Sequence, residues 1–185
     1  MGCSLGSLEK SHTEMKIIDD YLSEYQFKQI QDLMMSNMFP WYYNDGMVNE
    51  YDGKYTFIHG FYDIDNGVNS GFFNVLDPLI DNLKLNKNNL KRIKANLNLK
   101  TSSNDKTGWH IDRCDSSTTS IFYLNSNNGW TQFKNGGKVE SVSNRMVIFD
   151  SELEHTGVTC TDQNRRVMIN FNYDQEYMVT GCSLG

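Results

Sequence analysis

No segment of this chain approaches the run of about 18–20 apolar residues that a membrane-spanning helix requires, so no membrane partner is expected. Basic residues are in deficit: 17 Lys and Arg stand against 23 Asp and Glu, for a formal net charge of −6 and a pI near 5.1. Tight binding to a polyanion needs clustered Lys and Arg. The balance therefore argues against nucleic acid as a partner, while leaving room for a small local basic patch. The four cysteines (Cys3, Cys114, Cys160, Cys182) form no Cys-x-x-Cys pair, and no secretory signal pattern stands before them. The expectation is reduced thiols in a cytoplasm, not a disulfide framework. Histidine is scarce too, with four in the chain, so the setting of each one carries information.

What is present suits a globular domain. A length of 185 residues with 38% hydrophobic and 12% aromatic content can bury a sizeable core in one unit. The sequence predicts a single domain over 15–174, a disordered or non-native leader over 1–14 and a tail over 175–185. The ends repeat one pentapeptide, Gly2-Cys3-Ser4-Leu5-Gly6 and Gly181-Cys182-Ser183-Leu184-Gly185. Gly6 does not fit a myristoylation site, and Ser183 with Gly185 fits prenylation poorly.

From Met15 the pattern opens with a short strand, Lys16-Ile17-Ile18. Ser23 and Gln26 form a capping box, and Tyr25, Phe27, Ile30, Leu33 and Met34 recur at near-helical spacing to about Ser36. Phe39-Pro40-Trp41-Tyr42-Tyr43 breaks that helix, and these aromatics read either as core or as the lip of a substrate site. A strand is expected over 55–62 and a helix, in two pieces, over 70–85, with Asp77 as cap before Pro78. After residue 88 the pattern changes to strands at 91–99, 118–124, 130–133, 138–142, 146–149 and 166–173. Asn127-Asn128-Gly129 and Asn135-Gly136-Gly137 mark turns between them. Helices followed by many short strands predict an α+β, mostly β fold: a barrel or two-sheet roll with the N-terminal helices buttressing one sheet.

The chemistry centres on Trp109-His110-Ile111-Asp112. Alternate residues of a strand share a face, so His110 and Asp112 could hold one ion together, with His155 arriving from another strand or turn. Two imidazoles and one carboxylate on one side of an ion, with the opposite positions open, suit Fe(II). His-x-Asp alone arises often by chance, and a hydrogen-bonded structural His110 is the plain rival. Cys114, two residues past Asp112, reads as a packed thiol before it reads as a ligand. What adds weight is the later segment, where an apolar strand exits into Asp150-Ser151-Glu152-Leu153-Glu154-His155-Thr156-Gly157, followed by Arg165-Arg166 and the alternating Val167-Met168-Ile169-Asn170-Phe171-Asn172-Tyr173.

In these segments, and over most of 15–174, the chain resembles the 2-oxoglutarate- and Fe(II)-dependent oxygenases, near their prolyl-4-hydroxylase-like branch and most like small versions encoded by marine bacteriophages. The resemblance implies a double-stranded β-helix (jelly-roll, cupin-like) core, with iron held by His110, Asp112 and His155. It also implies a basic residue on the last strand that grips the far carboxylate of 2-oxoglutarate, a task that suits a guanidinium fork. Arg165 and Arg166 compete for that role. With Arg166 facing inward, Met168, Asn170 and Asn172 face inward too, and Val167, Ile169 and Phe171 pack outward against the helices, so Arg166 is preferred. Ile121-Phe122-Tyr123-Leu124-Asn125 resembles the family's Tyr-Leu-Asn strand, and Gly129-Trp130-Thr131-Gln132-Phe133 its Gly-x-Thr-x-Phe segment. Tyr123 and Thr131 inherit co-substrate contacts on that basis, and Asn96 or Asn98 could add a hydrogen bond.

The implied activity is a hydroxylase that uses Fe(II), 2-oxoglutarate and O2 and releases succinate and CO2. The implied substrate is a peptidyl proline first and a small metabolite second, in the cytoplasm of a host cell if the chain is phage-encoded. The segment 101–108 has the composition of a lid over that site. Arg113 would orient Asp112 or touch substrate, and His59 and His12 read as structural or solvated. Two rivals remain open: a non-catalytic metal-binding β-roll and a zinc-binding cupin-like module, in neither of which Arg166 has an evident use. Nothing in the sequence indicates an oligomeric state.

Overall fold

Alternation of apolar and polar residues builds most of this fold, because it gives each strand one face for a core and one for a cleft. The computed structural model describes residues 15–48 and 53–175. The expected leader, the repeated pentapeptides, His12, Cys3 and Cys182 lie outside the described residues.

In chain order the elements are β1 (Lys16–Ile18), α1 (Glu24–Met34), β2 (Tyr42–Asp45), β3 (Tyr55–Asp63), β4 (Gly67–Val68), a 3-10 turn (Phe73–Leu76), α2 (Asp77–Asn82), β5 (Leu90–Leu99), β6 (Thr118–Tyr123), β7 (Trp130–Phe133), β8 (Lys138–Glu140), β9 (Arg145–Asp150), β10 (His155–Val158) and β11 (Arg165–Tyr173). The larger sheet runs β1-β9-β6-β11-β5-β3-β2, with β4 paired to β3, and the smaller runs β10-β7-β8. Every pairing is antiparallel. The two sheets face each other across Ile121, Tyr123, Val147, Phe149 and Met168 on one side and Phe133 and Val139 on the other. This is the mostly β, double-stranded β-helix architecture expected from the sequence.

The helices cover the outer face of the larger sheet. Ile30 and Met34 of α1, Leu76 and Leu79 pack with Ile93, Ala95, Leu97, Val167, Ile169 and Phe171. Each fully buried aliphatic or aromatic side chain there contributes roughly 1.5–3 kcal/mol. The capping box of α1 is present, with Ser23 accepting from the Gln26 backbone N–H and the Gln26 side chain reaching back to Ser23. The helix ends at Met34, short of Ser36. The second helical region does come in two pieces, but Leu76 occupies the cap and Asp77 is the first helical residue, because the 3-10 turn runs straight into α2.

Two short edge strands, β2 and β4, have no counterpart among the expected strands, and His155, expected on a strand or turn, opens the strand β10. The expected strand around 110–112 does not exist: His110 makes a single bridge to His155, and the chain then bends. The first part of the aromatic stretch is core, and its tyrosines do not line the cleft between the sheets. Phe39 is buried and Trp41 packs on the core, while Tyr42 and Tyr43 stand exposed on β2. Among the described residues no helix is long and apolar enough to cross a membrane.

Candidate functional site

Between the sheets, one end of the interior is apolar and the other is an open, polar cleft. His110, Asp112 and His155 line it, and one donor atom from each lies within 4.8 Å of the others. His110 and His155 are locked by a reciprocal backbone pair, His110 N–H to His155 O at 3.0 Å and His155 N–H to His110 O at 2.9 Å. Asp112 is brought to the same side by its own N–H donating to Ser151 O at 3.1 Å. Backbone bonds to the 151–155 segment therefore do what strand alternation was expected to do.

The three side chains fit a divalent metal by their chemistry. Nδ1 of His110 lies 3.2 Å from Gly108 O and Nδ1 of His155 lies 2.9 Å from Leu153 O. With a proton on each Nδ1, both Nε2 lone pairs are free for a metal. The Nε2 atoms stand 3.8 Å from the Asp112 oxygens, too far to satisfy one another by hydrogen bonding. Burial holds the His155 pKa below the usual histidine value, with Asp112 opposing and His110 reinforcing the shift; a neutral imidazole is the form that ligates. Behind Asp112, Thr119 Oγ1 donates to Oδ2 at 2.9 Å, Asn172 Nδ2 donates to Thr119 Oγ1 at 2.9 Å, and Arg92 Nε donates to Asn172 Oδ1 at 3.0 Å.

Arg166 enters the same cleft and is 1% exposed. Its Nε donates to Ser141 Oγ at 2.7 Å, and its remaining contacts are Thr131 Oγ1 at 3.2 Å, Met168 Sδ at 3.0 Å and the face of Tyr123, 5.5 Å from the ring centroid. Among the described residues no carboxylate pairs with it. Burial lowers its pKa from the ordinary value, although a guanidinium stays charged. Tyr123 is fully buried and bonds Thr131 through its hydroxyl at 2.7 Å, which gathers Arg166, Tyr123 and Thr131 into one cluster. A Cβ at Gly129 would sit 2.7 Å from Val158 O and 2.9 Å from Arg166 Cδ, so glycine there is what lets β7 and β10 close around the arginine. Arg165 points away, with one terminal nitrogen donating to Met35 O at the end of α1 at 2.6 Å.

Other sequence candidates fall differently. Asn96 and Asn98 both line the cleft, Asn98 accepting from Thr56 Oγ1 at 2.8 Å and Asn96 donating to Asn170 Oδ1 at 3.3 Å. Cys114 is exposed, so it is not the packed thiol expected. Arg113 pairs with Asp115 at 2.8 Å. His59 is structural, held between Pro40 O at 2.8 Å and Ser70 Oγ at 2.7 Å. The 101–108 segment is hydrogen-bonded to β10 and to Thr159, with Thr107 lining the cleft: the Thr107 N–H donates to Gly157 O, the Gly108 N–H to Thr156 Oγ1, and the Asp105 N–H and Asn104 side chain to Thr159. Lys94, Arg92 and Asn170 also line the cleft. The first two went unremarked in the sequence, although Arg92-x-Lys94-x-Asn96-x-Asn98 is one continuous polar face of a strand.

No family model and no curated protein matches this sequence. Solved structures do match its fold. An oxidoreductase of the 2OG-Fe(II) oxygenase family from Burkholderia pseudomallei superposes with a TM-score of 0.61 at 12% identity, over 86% of this chain and 85% of that one. A prolyl hydroxylase from Trichoplax adhaerens, solved with a hypoxia inducible factor oxygen degradation domain peptide fragment, gives 0.57 at 18% identity over 88% and 84%. The epimerase SnoN, in complex with Fe3+, alpha ketoglutarate and nogalamycin RO, gives 0.59 at 8% identity over 87% and 78%. The chain thus has the fold of the 2OG-Fe(II) oxygenases, prolyl hydroxylases among them, with a His-Asp-His group in its cleft that could hold a metal.

Proposed function

We propose that the protein is a 2-oxoglutarate- and Fe(II)-dependent dioxygenase that hydroxylates its substrate. The observation that carries this reading is Arg166, a buried guanidinium beside a three-donor metal group and without a carboxylate partner among the described residues. Leaving a buried charge uncompensated costs on the order of 3–5 kcal/mol, so the site suits a ligand that brings a carboxylate of its own.

In this reading His110, Asp112 and His155 hold Fe(II), and Arg166 holds the far carboxylate of 2-oxoglutarate. Tyr123 and Thr131 fix the arginine's plane and add hydroxyls beside it. When bound, iron and 2-oxoglutarate would supply the oxidation, in which O2 is consumed, succinate and CO2 leave and one oxygen atom enters a substrate C–H bond. The chain's share is geometric: carbonyls hold the histidine tautomers, Thr119 orients Asp112, and Thr107, hydrogen-bonded to β10, forms part of the cleft's wall. A prolyl residue in a peptide is the first proposed acceptor, by likeness to the prolyl hydroxylases, and a small metabolite is the second.

Anaerobic addition of Fe(II) and 2-oxoglutarate should produce a weak visible charge-transfer band, absent in Asp112→Ala, and aerobic succinate release should vanish in that variant. Zinc binding without any 2-oxoglutarate binding would instead support a zinc module. Iron-dependent succinate release that survives Asp112→Ala would sink the ligand assignment.

A further inference from the structure

Lys94 is a charged group in the cleft that the proposed function leaves unused. It lies on the inward face of β5 between Arg92 and Asn96, opposite Asn170 on β11 and Gly60 on β3. It is half-buried, and among the described residues its ammonium has no hydrogen-bond or ion-pair partner. A Cβ at Gly60 would meet nothing within 4 Å, so the space on the β3 side of Lys94 is open.

The charges explain why this matters. Iron, Asp112, a doubly charged 2-oxoglutarate and Arg166 would balance one another. Arg92 is partly accounted for, bonded to Asn172 and 3.8 Å from the Asp112 carboxylate. The positive charge of Lys94 remains. Lysine charges are seldom buried unless paired, so a partly buried Lys94 that lines the cleft without a counter-ion among the described residues leaves room for an anion from outside, and the acidic protein as a whole makes cations gathered at one cleft more telling. Burial lowers the Lys94 pKa, Arg92 adds to the shift, and Asp112 opposes it. Asp112 is the carboxylate that acts on Lys94 there, and its oxygens belong to the metal.

We infer that Lys94 anchors a carboxylate of the substrate, so that the molecule hydroxylated is an acid. The inference rests on the proposed function and narrows its substrate. The carboxylate could come from a free amino acid or from an acidic side chain beside the reacting residue of a peptide.

The test uses the full chain loaded anaerobically with Fe(II) and 2-oxoglutarate, and reads perturbation of the visible band as each probe is titrated. One arm takes the twenty free amino acids with their carboxamides. The other takes capped tetrapeptides with Glu or Gln next to proline. In at least one arm the acid should bind tenfold or more tighter than its neutral partner, and the responding arm names the source. Lys94→Met should erase that preference and Lys94→Arg keep it. Affinity for 2-oxoglutarate, measured by calorimetry, should change less than twofold in both variants. Equal binding of acids and amides, or no binding in either arm, overturns the inference while the band itself leaves the proposed function standing. A tenfold loss of 2-oxoglutarate affinity in Lys94→Met overturns it as well, by making Lys94 a co-substrate anchor. If the wild-type protein gives no band at all, the proposed function fails and this inference falls with it.

Discussion

The two faces of β5 and β11 were built from the same backbone and ask opposite things of their side chains. The outer face, Ile93, Ala95 and Leu97 beside Val167, Ile169 and Phe171, is a closed apolar layer under the helices. The inner face, Arg92, Lys94, Asn96 and Asn98 beside Arg166, Met168, Asn170 and Asn172, has polar groups that bond one another, and two cations, Lys94 and Arg166, without a carboxylate of their own among the described residues. Neighbouring residues thus do unlike work: one face lowers the free energy of the fold, and the other spends part of that gain to keep charges waiting for ligands. Stability is the readout of the outer face, and ligand affinity is the readout of the inner one.

The sharpest break of that contrast is Phe171→Ala, which should cost about 3–5 kcal/mol of unfolding free energy in a urea titration. Asn170→Ala, one residue away on the inner face, should cost under about 1 kcal/mol by the same measurement. Equal losses at the two positions would mean that the faces are not energetically distinct. Next in size is Arg166→Met. It should weaken 2-oxoglutarate binding by roughly 2–5 kcal/mol in calorimetry, as expected when one partner of a buried charge pair is removed. The metal-free variant should be as stable as the parent or more so, because a methionine needs no counter-ion. Loss of stability instead would assign Arg166 to the core.

This division was readable in advance wherever periodicity carried it. The strands and the inward set Arg166, Met168, Asn170 and Asn172 follow from alternation, and the capped helix from its capping box and helical spacing. The first three of that set line the cleft, Asn172 is buried behind it on Thr119, and Arg165 is turned out to Met35. The His110/Asp112 pair was found for a reason that does not hold. The expected strand is a bend, and the pair meets because Asp112 bonds Ser151 and His110 bonds His155, long-range backbone contacts that no local pattern encodes. For the same reason the β10 segment reads locally only as a strand or turn, since its pairing partner is β7 rather than anything nearby in sequence. Lys94 is legible in the clean alternation of its strand, as part of the polar face that runs from Arg92 to Asn98.

A smaller effect probes how the inner face is held in place. Thr119→Val keeps the shape of the side chain but removes the donor to Asp112 and the acceptor of Asn172. Metal affinity should fall by about 10–100-fold in a competition titration with a chelator, with little change in metal-free stability. Unchanged affinity would reduce the Thr119–Asn172–Arg92 chain to packing.

The smallest effect is the most diagnostic of the comparison, because it runs against the usual direction of mutation. Lys94 has its pKa lowered in the folded protein, mainly by burial, so between its folded and unfolded pKa values the unfolded chain binds more protons. Stability then rises with pH across that window, and below it the full cost of burying the charge is present. Metal-free Lys94→Met should therefore be more stable than the parent at neutral pH. The gap should close as pH approaches the ordinary lysine value, where the parent has also shed its proton. Melting temperatures of both proteins at neutral and alkaline pH give the comparison directly. A variant less stable than its parent, or a gap indifferent to pH, would mean that the ammonium already has a partner in the protein, and the inner face would lose its clearest unfilled charge.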